Sequence, residues 1–206
     1  MLTFVVTNLK GGTAKTTTAA FIAHALADAG LAVLVVDADP QGSALRWSEA
    51  ADWPMPVVGL PVKTLHTQLA GIAGGRDAVV IDTPPLDEAR GIVLSAMRAA
   101  THVVVPTAPT PIEVERLPTV RAALDDVAEL RADGRPPAAH ILLTRTVSNA
   151  ASTGAWRTAI SEAGWHVLTA EVRRLEVFAQ AFGDPIKDAA ETDYGVAVNE
   201  LLDAIS

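Results

Sequence analysis

Lys10-Gly11-Gly12-Thr13-Ala14-Lys15-Thr16-Thr17 follows directly on the apolar run Leu2–Thr7. A strand that ends in a glycine turn and opens a helix leaves several backbone N–H groups unpaired and aimed at one point. Those amides, with the positive end of the helix dipole, form a cradle for phosphate. Gly11, Gly12, Thr13, Ala14 and Thr17 belong to that cradle. Lys15 is placed to reach the outer phosphates, and the Thr16 hydroxyl to ligate Mg²⁺. The general pattern has glycine immediately before the lysine, where this chain has Ala14. Position 14 is expected to need a backbone angle that alanine adopts only with strain.

Two carboxylate motifs follow. In Leu34-Val35-Val36-Asp37-Ala38-Asp39-Pro40-Gln41-Gly42-Ser43 an apolar strand ends in acids spaced i, i+2. In extended chain that spacing puts both on one face. A carboxylate at a strand end beside the phosphate cradle can orient water or hold a metal's water shell. In Ala78-Val79-Val80-Ile81-Asp82-Thr83-Pro84-Pro85 a buried strand carries Asp82 at its carboxyl end. Ligands of open α/β sheets bind outside the carboxyl ends of the strands, where all three motifs lie.

Lys10-Gly11-Gly12-x-x-Lys15-Thr16-Thr17 resembles the deviant Walker A motif of the ParA/MinD family of ATPases. The resemblance implies that Lys10 crosses a dimer interface to the nucleotide of a second subunit, giving an ATP sandwich dimer. It implies catalytic roles for Lys10, Lys15 and Asp39, with Asp39 positioning the attacking water. It implies a magnesium shell drawn from Thr16, Asp37, Asp39 and Asp82. The similarity extends along the chain. Asp37-x-Asp39-Pro40-Gln41-x-Ser43 and Trp47-Ser48-x-Ala50 are similar to small ParF-like partition ATPases, as are Val103–Pro111 and Asp193-Tyr194-Gly195. Ile141–Arg145 resembles the strand that frames the adenine, implying nucleotide contacts from Thr144 and Arg145. Thr144 stands where many relatives have asparagine. Glu171–Leu175 resembles a late basic segment.

The architecture expected is α/β: a mostly parallel twisted sheet with helices on both faces. Strands are expected near 2–7, 32–36, 57–60, 78–82, 102–106, 139–144 and 166–169. Helices are expected near 16–29, 43–50, 64–73, 88–99, 112–132, 150–163, 174–182 and 193–205, with Gly30 closing the first and a late start or kink at Pro118. One domain is expected over 1–206, without room for an N-terminal helix-turn-helix domain. Cysteine is absent, which excludes a disulfide framework, a thiol nucleophile and the cluster cysteines of the related nitrogenase iron protein. No basic leader and no long apolar run is present, so a cytoplasmic protein without membrane attachment is expected.

The net charge of −8 is the difficulty, because nonspecific DNA binding of the kind the resemblance implies needs clustered Lys and Arg. The candidates are Arg157, Arg173, Arg174 and Lys187, beside Arg145. The five histidines show no metal-ligand spacing, and Glu113, Glu115 and Arg116 read as a solvated helix face. The leading expectation is a ParA-type partition ATPase for plasmid or chromosome. It would use ATP/ADP and Mg²⁺, dimerise on ATP, hold nonspecific DNA on the nucleoid, and be stimulated by a centromere-binding ParB- or ParG-like protein. Three alternatives stay open: a ParA-like ATPase positioning a protein cargo such as a carboxysome or chemoreceptor cluster, a metabolic enzyme resembling dethiobiotin synthetase, and a non-hydrolysing switch.

Overall fold

The computed structural model describes residues 1–148 and 150–204. Seven strands are present among them: β1 Leu2–Val6, β2 Val33–Asp37, β3 Val57–Gly59, β4 Ala78–Asp82, β5 His102–Thr107, β6 Ala138–Thr146 and β7 His166–Arg173. They form one sheet in the order β3-β2-β4-β1-β5-β6-β7, and every pairing is parallel. The helices are α1 Lys15–Asp28, α2 Ser43–Ala51, α3 Leu65–Ala73, α4 Arg90–Ala99, α5 Pro111–Val114, α6 Leu117–Leu130, α7 Ala151–Glu162, α8 Glu176–Ala179 and α9 Asp193–Asp203.

The central strands are buried along their whole length, so their apolar runs are unbroken rather than alternating. The period of two survives in which core each residue joins. Phe4, Val6, Val33 and Val35 pack with α1, α2 and α9 on one face. Val5, Leu34 and Val36 pack with α3, α4 and α6 on the other. Helix α1 lies between sheet and α9, which explains its alanine-rich, almost wholly buried sequence. At the start of α9, a Cβ on Gly195 would sit 2.0 Å from the Ala190 carbonyl oxygen, so only glycine allows that approach.

Three expected elements differ. The helix expected over 112–132 is broken into α5 and α6, with Pro118 in the first turn of α6. Proline has no N–H for Val114 and its ring would clash with that carbonyl, so it is tolerated only near a helix start. The helix expected near 174–182 shrinks to α8, because the chain stays extended past Thr169. β7 runs to Arg173, and the Arg174 amide is still held by the Thr146 carbonyl at 2.8 Å. The last helix ends at Asp203; Ile205, expected within it, lies outside the described residues.

Both sheet edges are poor templates for a further strand. β3 is three residues long and follows Pro54 and Pro56. On the β7 edge, Glu200 of α9 accepts the Thr169 and Ala170 amides at 2.7 and 2.9 Å, and Asp193 accepts that of Arg173 at 2.9 Å.

Candidate nucleotide site

β1 delivers the chain to a turn pinned from below: the buried Asn8 side chain donates to the Pro106 carbonyl at 2.8 Å. Gly12 (φ 72°) and Ala14 (φ 64°) both take left-handed backbone, so the strain expected at position 14 is present. α1 then starts at Lys15 without a side-chain cap, leaving its first amides open to a ligand. A cavity of about 230 Å³ lies over this turn, bounded by Gly12, Lys15, Thr16, Asp39 and Pro85. This is a phosphate-sized space at a helix N-terminus.

Lys15 is buried, and its ammonium donates to the Lys10 carbonyl at 2.8 Å. Burial lowers its pKa, against the pull of Asp82 and Asp39. Asp82 is fully buried. One carboxylate oxygen accepts the Thr16 hydroxyl at 2.7 Å, while Oδ1 has no hydrogen-bond partner. Burial pushes its pKa up to about 7, with the Thr16 hydrogen bond acting the other way. An orphaned buried carboxylate oxygen beside a hydroxyl is a hard-oxygen donor pair that fits a divalent cation such as magnesium.

The acids of β2 divide their work. Asp37 is buried and accepts the Asp39 amide at 3.0 Å and the Leu45 amide at 2.9 Å, fastening the turn to α2. Burial raises its pKa despite these bonds. Each oxygen of Asp37, expected in the metal shell, is thus engaged by backbone. Asp39 stays half-exposed on the phosphate cavity, with Oδ1 accepting the Gln41 amide at 2.9 Å.

A second cavity, about 330 Å³, continues from Gly12 and Thr17 between the ends of β6 and β7. Thr144, Val172, Leu175, Phe178 and Tyr194 line it, a wall suited to a flat aromatic group. Tyr194 is buried, stacked on Phe21 at 5.0 Å and edge-on to Phe178 at 5.1 Å. Its hydroxyl lies 3.2 Å from that of Thr18, one turn into α1, and burial pushes its pKa up to about 12. Arg145, in left-handed backbone (φ 56°), lines this second cavity; it donates to the carbonyl of Gly12, a residue of both cavities, at 3.1 Å and to Glu113 at 3.2 Å.

Sequence reading missed Glu113, Asp87 and the aromatic floor. Glu113 is not on a solvated face but buried, ion-paired to Arg145 and, at 3.8 Å, to Arg116. Lys10 is exposed and forms an ion pair with Asp87. The four DNA candidates separate into two kinds. Arg157 is tied to Glu171 at 2.6 Å and to β7 carbonyls, and Arg173 is bound to Asp193 at 2.7 Å, so neither is a free cation. Arg174 and Lys187 are exposed and have no side-chain partner among the described residues.

At the other end of the strands, His102, His140 and His166 stand side by side on β5, β6 and β7. The His140 and His166 Nδ1 atoms are 2.9 Å apart, and His140 stacks on His102 at 5.4 Å. Among the described residues no group of His, Cys, Asp or Glu is arranged to hold a metal ion by itself. None of their helices is long and apolar enough to cross a membrane.

Comparison with known proteins agrees with this geometry. The chain is 33% identical over 184 residues to maintenance of carboxysome distribution protein A of Halothiobacillus neapolitanus, covering 87% of this chain and 82% of that one. The structure of apo McdA from Cyanothece superposes with a TM-score of 0.77 over the whole of both chains, at 18% identity. Cobyrinic acid a,c-diamide synthase of Mycobacterium smegmatis with bound ADP and magnesium superposes at 0.76, with 23% identity over 99% of this chain and 93% of that one. Residues 4–186 match the family described as the CobQ/CobB/MinD/ParA nucleotide binding domain, and the chain belongs to that family.

Proposed function

We propose that this protein is a ParA-type ATPase that pairs on ATP, holds DNA without sequence preference and positions a protein assembly as its cargo. The observation that carries the enzymatic part is the meeting of Lys15, Thr16 and Asp39 on one phosphate-sized cavity at the start of α1, with the buried Asp82 directly behind Thr16 and bound to its hydroxyl. Lys15 would turn from the Lys10 carbonyl to the outer phosphates. Thr16 and the orphaned oxygen of Asp82 would hold magnesium, which neutralises developing phosphate charge when bound. Asp39, alone among these acids on the open side of the cavity, would orient the attacking water. The apolar cavity at Thr144, Phe178 and Tyr194 would take the base. Lys10, exposed at the rim, would reach the nucleotide of the second copy, and the 206 residues would act as one ATPase domain.

For the cargo, plasmid or chromosome partition was the leading expectation from sequence. The relative that matches 87% of the chain is named for carboxysome distribution, and this supports the protein-cargo alternative instead. A partner protein other than a centromere binder follows from that reading. Of the four DNA candidates, Arg174 and Lys187 are the two left free to meet DNA phosphates.

The test is binding of a labelled random-sequence duplex at low salt, with ATP and with ADP, each with magnesium. Binding confined to ATP supports a nucleotide-gated DNA clamp. Equal binding in both states, or none in either, removes the DNA-based mechanism. For the cargo, deletion of the gene should disperse or cluster a protein assembly without loss of a resident plasmid.

A further inference from the structure

Lys10 is not idle in the separate subunit. Its ammonium is paired with the Asp87 carboxylate, on the segment that follows β4. Backbone holds the two in place. Beyond the last β1–β4 pair, Val6 with Asp82, the chains continue to zip: the Leu86 amide donates to the Asn8 carbonyl at 3.1 Å and the Asp87 amide to the Leu9 carbonyl at 3.2 Å. Each rung brings position 10 and position 87 together. The Lys10 carbonyl is fixed as well, accepting the Lys15 ammonium at 2.8 Å and the Thr13 hydroxyl at 3.2 Å. Only the Lys10 side chain is left to move, half of it exposed, and a single carboxylate holds it.

From this arrangement we infer that Asp87 is a latch on Lys10, so that ATP-driven pairing of two copies must exchange this carboxylate for phosphate. The inference rests on the reading of Lys10 as the residue that reaches the second copy. A carboxylate and a phosphate compete for one ammonium, and the loser is left solvated at the surface. A phosphate chain carries more negative charge than a carboxylate and wins when present. Without it the lysine stays with Asp87, which makes pairing depend more steeply on nucleotide. The latch holds through an exposed ion pair, so its effect is modest: a few-fold per subunit, and on the order of tenfold for a dimer that must open two.

The experiment is sedimentation equilibrium of the full chain with Mg²⁺ and a non-hydrolysable ATP analogue, and again with ADP. The variants are Asp87→Asn, Asp87→Ser and Lys10→Ala, each checked for monomeric ADP binding as evidence of a folded site. The expected result is a roughly tenfold tighter dimer for both Asp87 variants with the analogue and no dimer with ADP. Added salt should tighten the wild-type dimer relative to the Asp87 variants, since it screens the latch. Asp87 variants that pair no more tightly than wild type, while Lys10→Ala fails to pair, overturn the latch and leave the proposed function standing. Normal pairing by Lys10→Ala overturns both. Two Asp87 variants that lose ADP binding would show Asp87 to be structural, and the latch would be wrong.

Discussion

The proposed phosphate end and base end of the cleft share Gly12, Ala14 and Thr17 but are built in opposite ways. The phosphate end is made chiefly of consecutive residues whose backbone does the holding, a left-handed turn and a helix start, with Asp82 and Asp39 brought in at the ends of β4 and β2. Its groups are charged, buried and incompletely paired, Asp82 most of all. The base end is made of side chains from five separate segments, packed ring on ring. The first is organised for a ligand at some cost in stability. The second contributes to the fold and to the pocket with the same atoms. Damage at the two ends should therefore be read out by different measurements.

The largest effect is expected at the base end. Tyr194→Ala removes a buried ring held between Phe21 and Phe178 and should cost about 3–5 kcal/mol in urea unfolding. Tyr194→Phe keeps the ring and loses only the Thr18 contact, for about 1 kcal/mol. A small loss for Tyr194→Ala would mean that the aromatic floor is not part of the core. Lys15→Ala is the counterpart at the phosphate end. It should lower affinity for a fluorescent ATP analogue on the order of 100-fold, since a charge-assisted contact is lost. It should leave the urea midpoint unchanged or raised, because burial already disfavours that ammonium. Loss of stability without loss of binding would invert the two roles.

The far ends of β5, β6 and β7 offer the next test. His140 is buried, with Nε2 unpaired, and burial pushes its pKa down to about 4, helped by His102 and His166 and opposed by Glu200. The unfolded chain takes up a proton near pH 6.5 and the folded chain does not, so stability is lost as pH falls from about 6.5 to 4. The loss should be on the order of 2–3 kcal/mol, and His140→Gln should flatten it. A flat profile in the wild type would show that the cluster relaxes to admit the charge. Smaller still is the contrast among the basic residues. On the proposed function, Arg174→Glu should weaken ATP-dependent DNA binding several-fold and lower its salt dependence. Arg157→Gln should instead lower stability, through its lost pair with Glu171. The smallest effect is expected at Ala14. Ala14→Gly relieves the left-handed strain and should stabilise by about 0.5–1 kcal/mol, visible as a small rise in Tm.

The same contrast explains what was legible in the sequence. The central strands β1, β2, β4 and β5 were, because a strand buried on both faces must be an unbroken apolar run, whereas the half-exposed edge strand β7 was read four residues short. The phosphate end was, because its chemistry needs neighbours in sequence. The base end was readable only through resemblance, since Thr144, Phe178 and Tyr194 meet only after the sheet has formed. Glu113 looked solvated because its closeness to Glu115 and Arg116 suggested a charged face, whereas its partner Arg145 lies on β6. Arg157 and Arg173 looked free because Glu171 and Asp193 are brought to them by β7 and α9. Charge counts fix how many cations exist, and only the fold decides which are already neutralised.

The blunted sheet edges bear on how this protein can assemble. A parallel sheet grows sideways only by offering unpaired amides and carbonyls to another strand. Here β3 is too short and too proline-bordered to offer them, and the carboxylates of Glu200 and Asp193 occupy the outward amides of β7. These edges favour growth of any filament or higher array through contacts of loops and helices. It would be an assembly held by side chains, not a continuous hydrogen-bonded sheet.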